Sequence, residues 1–337
     1  MLKRSTLDEI VRDHRLGEAA VSMALDLSGG RPGADAWRAF AGRLLTAAGV
    51  AGLGAGAIFF VAANWRDFAV LGRFGVLEGF FAASVAAALW RPPPHAAGRA
   101  ALALATLLAG ALLALFGQAY QTGADVYELF VAWAVLALPF ALAGGSGASW
   151  AIWWGIVNVA LALVFGWIGP EHVLWRIFAR WGADRPMLLL VPCAVNLAAA
   201  AGFAALRGTR FGSHAPRGLT RMLAALGFLY GTAAGIAESV SEGASHVAIP
   251  AFAAVSAAVA VAALRARRDV FPLALVIGSW IAVSTAFLAH AMHLHDIGTL
   301  LAIAAWLVGT SSAAAYVLMR WVRHWDVDED ELPEAAA

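Results

Sequence analysis

The sequence predicts an all-α protein, a polytopic transmembrane helical bundle of about ten helices with both termini in the cytoplasm. Of the 337 residues 61% are hydrophobic and only 13% are charged, and the mean hydropathy is +0.75. A single soluble core could not bury this much apolar surface, so the chain requires the lipid bilayer as its partner. The other two observations are the spacing of its apolar runs and the placement of its basic residues.

Ten apolar windows have roughly the length of a membrane-crossing helix, about 20 residues at a rise of 1.5 Å each. None alternates polar and apolar residues, which excludes a membrane barrel and leaves helices, whose backbone groups satisfy one another in lipid. The windows lie at about 44–63, 73–90, 100–117, 126–143, 148–167, 187–206, 219–238, 247–264, 270–289 and 298–319.

The basic residues predict the orientation of these helices. With ten spans and the N-terminus inside, eighteen of the 23 Lys and Arg residues fall on the inner side and five on the outer side. Basic flanks are retained in the cytoplasm, so this bias favours an even number of helices.

The chain divides into four predicted segments. Residues 1–40 form a cytoplasmic helical segment and not a signal peptide, because no compact apolar run follows Lys3 and Arg4. This segment either binds a protein partner or lies on the membrane surface. Residues 41–145 form a four-helix membrane unit, 146–320 hold six further helices, and 321–337 form an acidic cytoplasmic tail that we expect to be disordered.

Composition and motifs argue against several function classes. The net charge of +1 does not favour nucleic acid as a partner. The single cysteine, Cys193, rules out a disulfide framework and is expected to be a small buried residue. The chain has no nucleotide-binding loop, haem pattern or Ser-His-Asp constellation, so we expect neither an enzyme nor a cofactor.

A polar cluster is predicted on the outer side of the first four helices. Glu78 is the clearest member, because a carboxylate within a membrane helix costs several kcal/mol unless it is paired, here with Arg73. The arrangement is either an outward-facing cleft for a cation, proton or small polar solute, or a hydrogen-bonded plug between two helix hairpins. The cluster comprises Asn64, Trp65, Glu78, Gln118, Tyr120, Gln121, Asp125, Tyr127 and Glu128.

Three runs in this region resemble a known family. They are Ala-Asn-Trp at 63–65, Arg-Phe-Gly-Val-Leu-Glu at 73–78 and Gln-Ala-Tyr-Gln-Thr-Gly-Ala-Asp at 118–125. Over about residues 40–145 the chain resembles the bacterial membrane proteins called domain of unknown function 2157. The resemblance implies a multi-pass protein of the bacterial inner (plasma) membrane and brings no substrate, cofactor or catalytic residue.

Two further groups stand out in the second half. His290 and His293 are three residues apart and could share a helix face, with His295 and Asp296 just beyond, a set that suits zinc or consists only of surface imidazoles. Asn158 and Asn196 lie within predicted helices, and we expect them to hydrogen-bond across helices, to each other.

Two function classes remain open. One is a non-enzymatic membrane component, a sensor or assembly partner with an outward-facing polar cluster. The other is a transporter or channel for a small solute, proton or cation, whose path would run inward past Asn158 and Asn196. We favour the first, because the cytoplasmic halves of most spans contain few polar residues.

Overall fold

The computed structural model describes residues 17, 20–21, 23, 33–93, 95–166, 185–207, 217–241, 243, 245–267, 269–292 and 297–330, and most of these residues are helical. No strand occurs among these residues, so the predicted all-α class is confirmed. The helices are α1 (Ala34–Ala63), α2 (Val70–Trp90), α3 (Ala96–Tyr120), α4 (Val126–Gly144), α5 (Gly147–Gly166), α6 (Arg185–Ala205), α7 (Arg217–Val240), α8 (Ala248–Ala262), α9 (Val270–Ala291) and α10 (Ile297–Asp330).

All ten predicted apolar windows are helices. Each is long and apolar enough to cross a membrane, α8 by virtue of a π-helical turn, Ala263–Arg267, that continues it. The chain is therefore a membrane protein, and its described residues contain ten candidate spans, the number that the sequence predicted.

Both ends of this helical array differ from the sequence prediction. The first helix begins at Ala34, ten residues before the predicted window, so residues 34–40 continue the first span. The last helix runs to Asp330, so the tail is helical to that residue and not disordered. Helix α10 continues into the tail because extending an existing helix costs far less free energy than nucleating a new one. No Gly or Pro occurs between residues 310 and 330, and the next proline is Pro333. Most of segment 1–40 lies outside the described residues.

The described residues up to Ala119 form a first compact unit, called unit 1 below. Its core joins the three helices α1, α2 and α3 through side chains that are almost fully buried. They are Ala57 and Val61 from α1, Leu77 from α2, and Leu108 and Leu115 from α3. This core is entirely apolar, as expected where the apolar stripes of neighbouring helices meet.

The residues from Tyr120 onward form the second compact unit, unit 2, with α7 at its centre. Helix α7 packs against α6 and α9, and also contacts α5 and α8. Phe228 of α7, Phe252 of α8 and Cys193 of α6 are buried together, which confirms the expectation for the cysteine. Close approach is possible because α7 presents glycines here: a Cβ on Gly231 would lie 2.2 Å from the Phe252 ring.

Candidate functional site

The members of the predicted polar cluster are divided between the two units. Asn64, Trp65, Glu78 and Gln118 belong to unit 1, and Tyr120, Gln121, Asp125, Tyr127 and Glu128 belong to unit 2. Each half has its own local geometry. The convergence of the carboxylates Glu78, Asp125 and Glu128 stays a prediction.

In unit 1, the turn after α1 is fixed by Arg73. The Arg73 guanidinium donates a hydrogen bond to the carbonyl oxygen of Trp65 and lies over the indole, with Cζ 3.7 Å from the ring centre. Asn64 closes the end of α1 by donating from Nδ2 to the carbonyl oxygen of Phe60 at 2.8 Å. Stacking on an aromatic face suits the planar guanidinium, which explains why Arg73 turns to Trp65.

Glu78 is therefore not the partner of Arg73 that the sequence predicted. It lies eight residues into α2, about 12 Å along the helix. Its neighbour Leu77 is buried in the core of unit 1, whereas Glu78 is exposed and forms no ion pair among the described residues. Because successive residues point about 100° apart around a helix, burial of Leu77 turns Glu78 away from that core.

Gln118 and Trp65 share a cavity inside unit 1. The cavity has a volume of about 300 Å³ and lies between α1, α2 and α3. Apart from Gln118 and the indole of Trp65, its lining is aliphatic, including Val61, Leu77 and Leu115. Two members of the predicted cluster thus meet in one place, but around a space that offers few polar groups to a ligand.

In unit 2, the segment from Tyr120 to Glu128 is a turn that caps the next helix. Gln121 and Gly123 have positive φ angles of 44° and 67°, which reverse the chain before α4. Asp125 and Glu128 then form a capping box, in which Glu128 Oε2 accepts a hydrogen bond of 3.2 Å from the backbone N–H of Asp125.

The second oxygen of Glu128 is also occupied locally, since Oε1 accepts a 3.4 Å hydrogen bond from the Tyr127 hydroxyl. Both carboxylates of this segment therefore have structural partners within four residues of chain. Tyr120, Gln121 and Thr122 remain exposed around them. The segment combines a fixed backbone with a polar surface.

The predicted contact between Asn158 and Asn196 is confirmed. The two amides, on α5 and α6, donate to each other's Oδ1 over 3.0 and 2.8 Å. Each Nδ2 also donates to the carbonyl oxygen four residues earlier, that of Trp154 at 2.8 Å or Pro192 at 2.9 Å. Tyr230 of α7 adds a third helix by donating its hydroxyl proton to the carbonyl oxygen of Asn158 at 3.0 Å.

Glu238, near the end of α7, is the most deeply buried carboxylate among the described residues, at 4% exposure. Its Oε2 accepts a 2.5 Å hydrogen bond from the backbone N–H of Ile249, in the first turn of α8. Its Oε1 is buried without a hydrogen-bond partner and lies 4.0 Å from Nδ1 of the exposed His246.

A pocket that the sequence did not predict lies at the other end of α7. It has a volume of about 560 Å³ and is lined by Arg207, Arg217, Thr220, Arg221 and Asp269, together with Ala204, Ala224, Phe271 and Pro272. We call these nine residues the arginine pocket. Its one sequence signal is the spacing of Arg217 and Arg221, four residues apart and thus on one face of a helix.

The predicted metal site cannot be placed, because His293, His295 and Asp296 lie outside the described residues. His290 is within α9, near its end. The part of the chain that the structure describes contains no group of three His, Cys, Asp or Glu side chains arranged to hold a metal ion. The zinc hypothesis stays a prediction.

Comparison with known proteins supports the resemblance found in the sequence and lengthens it. No curated protein and no solved structure matches the chain. Residues 8–150, which include α1 to α4 and the whole predicted polar cluster, match the family model described as predicted membrane protein (DUF2157).

Proposed function

We propose that this protein is a non-enzymatic component of the bacterial inner (plasma) membrane that acts as an assembly partner and does not transport solutes. The main support is that the side-chain amides of Asn158 and Asn196 have hydrogen-bond partners within the protein for all of their donors. The two side-chain amides have four N–H donors, and each donor forms a hydrogen bond with the partner amide or with a carbonyl of the same helix. These are the groups along which a transported solute would have to pass.

The buried face of α7 supports the same proposal. Between the arginine pocket at its start and Glu238 near its end, the buried residues of α7 are Leu, Phe, Gly and Ala. A hydrated or charged solute would lose its water along this face without gaining new hydrogen bonds, which is costly in a low-dielectric interior. The polar groups at the two ends are therefore separate features.

The exposed segment 117–128 supplies a surface for a protein partner. Its backbone is fixed by the turn and the capping box, so binding would order little additional chain. Tyr120 is 61% exposed beside Gln121 and Thr122, and tyrosine with amide side chains is well suited to a polar interface. A second contact through residues 1–32 belongs to the same proposal.

Proteoliposome flux tests the transport half of the proposal. We expect no movement of protons, monovalent cations or small polar solutes above empty vesicles for the wild type, Glu78→Gln or Asp125→Asn. Saturable flux that falls in either variant would overturn the proposal. Deletion of residues 1–32, which ends just before α1, should abolish a partner contact and would leave the flux of a transporter unchanged.

Site-specific photocrosslinking tests the assembly half. A photoreactive amino acid at position 122, incorporated in the native membrane, should give one discrete protein adduct that weakens when Gln121 is replaced by Ala. The same group at Phe287, a side chain of α9 that is 59% exposed, serves as the lipid-facing control. Equal adducts at both positions would contradict a specific partner.

The proposed orientation, with both termini in the cytoplasm, has its own test. Cys193 is the only cysteine and is buried, so it should react little with a membrane-impermeant maleimide. With Cys193→Ala as background, Thr122→Cys should be labelled in intact cells, and Arg323→Cys, at the exposed inner end of the α10 span, should not. Labelling of Arg323→Cys but not of Thr122→Cys from outside would show the inverted topology.

One observation favours the alternative class, a proton or cation pathway. The unpartnered Oε1 of Glu238 is a buried acceptor, and ionisable groups inside membrane proteins often mark such pathways. In this case Glu238→Gln should abolish proton flux in proteoliposomes. We expect instead that Glu238 caps α8, and that neither the wild type nor Glu238→Gln shows proton flux above empty vesicles.

A further inference from the structure

The arginine pocket has the features of an anion-binding site. Arg207, Arg217 and Arg221 line it, and Asp269 is its only acidic side chain, so the described lining carries a net charge of +2. It lies where α7 and α9 begin, since Arg217 and Thr220 are in the first turn of α7 and Asp269 caps α9. Helix N-termini carry partial positive charge, which adds to that of the arginines.

Among the described residues, an acidic side chain neutralises one of the three arginines of the pocket. Asp269 Oδ1 lies 3.3 Å from Arg221 and also accepts a 3.0 Å hydrogen bond from the backbone N–H of Phe271. Arg207 donates to the Thr220 hydroxyl, while its Nε is buried without a hydrogen-bond partner. Arg217 is exposed and forms no ion pair among the described residues. Two of the three guanidinium groups thus have no counterion in the described part of the chain.

The rest of the lining indicates what kind of anion fits. Ala204, Ala224, Phe271 and Pro272 give the pocket an apolar side, and its residues lie at the ends of membrane-spanning helices, where phospholipid headgroups meet protein. Guanidinium groups bind phosphate oxygens by paired N–H donors. Basic pockets between spanning helices at the cytoplasmic face are suited to acidic lipid headgroups.

We propose that the arginine pocket binds a phosphate ester, and that its ligand is the headgroup of an anionic phospholipid. Arg217 and Arg207 contact the phosphate oxygens, Arg221 remains with Asp269, and the apolar side meets the start of the acyl chains. A zwitterionic headgroup binds less well, because its cation faces the same arginines. This site is independent of the partner surface at 117–128.

Lipid binding to the purified full-length protein tests the proposal. Native mass spectrometry from detergent would count bound dioleoylphosphatidylglycerol and, in a parallel arm, dioleoylphosphatidylcholine. We expect saturable binding that favours phosphatidylglycerol. Arg217→Gln should weaken it about tenfold, the value of one charge-assisted hydrogen bond. Arg217→Lys, which keeps the charge but not the fork, should lose less.

Two matched variants distinguish the pocket from general surface charge. Asp269→Asn removes the one carboxylate but keeps a side chain that caps α9, so phosphatidylglycerol should bind several-fold more tightly. Arg320→Gln removes an exposed cation from α10, which does not line the pocket, and should leave binding unchanged. Melting temperatures of all variants would confirm that each is folded.

A third arm separates a lipid from a soluble ligand. Inorganic phosphate should displace phosphatidylglycerol from the wild type, because both would bind the same guanidinium groups. Binding of inorganic phosphate without any phosphatidylglycerol would overturn the lipid assignment and leave a site for a soluble phosphate ester. If Arg217→Gln binds phosphatidylglycerol as tightly as Arg320→Gln does, or if neither probe binds, the anion site itself is overturned.

Discussion

The asparagine pair inside unit 2 and the polar segment 117–128 differ in what holds their polar groups. Asn158 and Asn196 are 7% and 0% exposed, and their amides find partners on two helices. Asp125 and Glu128 are exposed and find theirs within the same turn. The pair therefore fixes tertiary structure, whereas the hydrogen bonds of the segment fix its own turn and leave Gln121 and Thr122 exposed.

This difference follows from the solvent around each group. In the membrane interior an unpaired amide has no water to replace a lost partner, so each donor must be satisfied by protein. At the membrane surface water serves that purpose, and side chains are free to take other roles. The comparison predicts large effects of substitution in the interior of unit 2 and small effects in the segment.

The largest effect is expected where the interior is most closely packed. In Gly231→Ala the new methyl group would lie 2.2 Å from the ring of Phe252, which is fully buried and has no space to move. We expect the free energy of unfolding to fall by about 3 kcal/mol, the upper end for overpacking. Reversible unfolding in mixed micelles would measure it.

Gly202→Ala is the matched control for that substitution. Gly202 lies in α6 with no atom within 4 Å of the position that a Cβ would take. Alanine has the higher helix propensity, so this variant should be as stable as the wild type or slightly more so. Equal losses in the two variants would mean that α7 and α8 do not pack as described.

Breaking the amide pair should have the next largest effect. Asn196→Leu leaves the Oδ1 of Asn158 and one of its N–H donors buried without their partner. We expect a loss of about 2 kcal/mol in unfolding free energy. The measurement is the same unfolding titration, completed as a double-mutant cycle with Asn158→Leu.

In that cycle the double variant should be more stable than the sum of the single losses predicts, because it leaves neither amide unpaired. A coupling of about 1 kcal/mol is expected. Strict additivity would show that the two amides stabilise the bundle separately, and would remove the main argument against a polar path through unit 2.

The helices could be predicted because their cause is local. Apolar runs of membrane-spanning length have one stable solution in lipid, so all ten windows became helices, and the asparagine pair followed because two buried amides need partners. The helical tail was missed because acidic composition suggested disorder, whereas its conformation is set by the helix that it continues.

The candidate sites were harder to predict because they depend on contacts distant in sequence. Arg73 was paired with Glu78 by proximity along α2, yet the indole of Trp65 offers its guanidinium both a ring face and a carbonyl. The arginine pocket combines residues of α6, α7 and the start of α9, and sequence analysis had counted its arginines only as markers of the inner side. In both cases the partners of the arginines depend on the direction of their side chains, which the sign of the charge does not predict.

A smaller effect is expected from the capping box of the polar segment. Asp125→Ala removes the side chain that caps α4 and should lower the unfolding free energy by about 1 kcal/mol. Asp125→Ser keeps a capping oxygen without the charge and should recover most of that loss. If serine is as destabilising as alanine, Asp125 stabilises α4 through its negative charge at the helix N-terminus and not through a capping hydrogen bond.

The smallest effect is expected at Thr122, an exposed residue between Gln121 and Gly123. Thr122→Ala should change the unfolding free energy by less than about 0.5 kcal/mol, as is usual at the surface. The same substitution at Thr106, which is buried in α3 and donates a 2.9 Å hydrogen bond to the carbonyl oxygen of Leu102, should cost about 1 kcal/mol. The unfolding titration used above would measure the free energy of unfolding of each variant. A loss at Thr122 equal to that at Thr106 would mean that the segment is packed against protein, and the contrast between a fixed interior and an available surface would fail where the partner is proposed to bind.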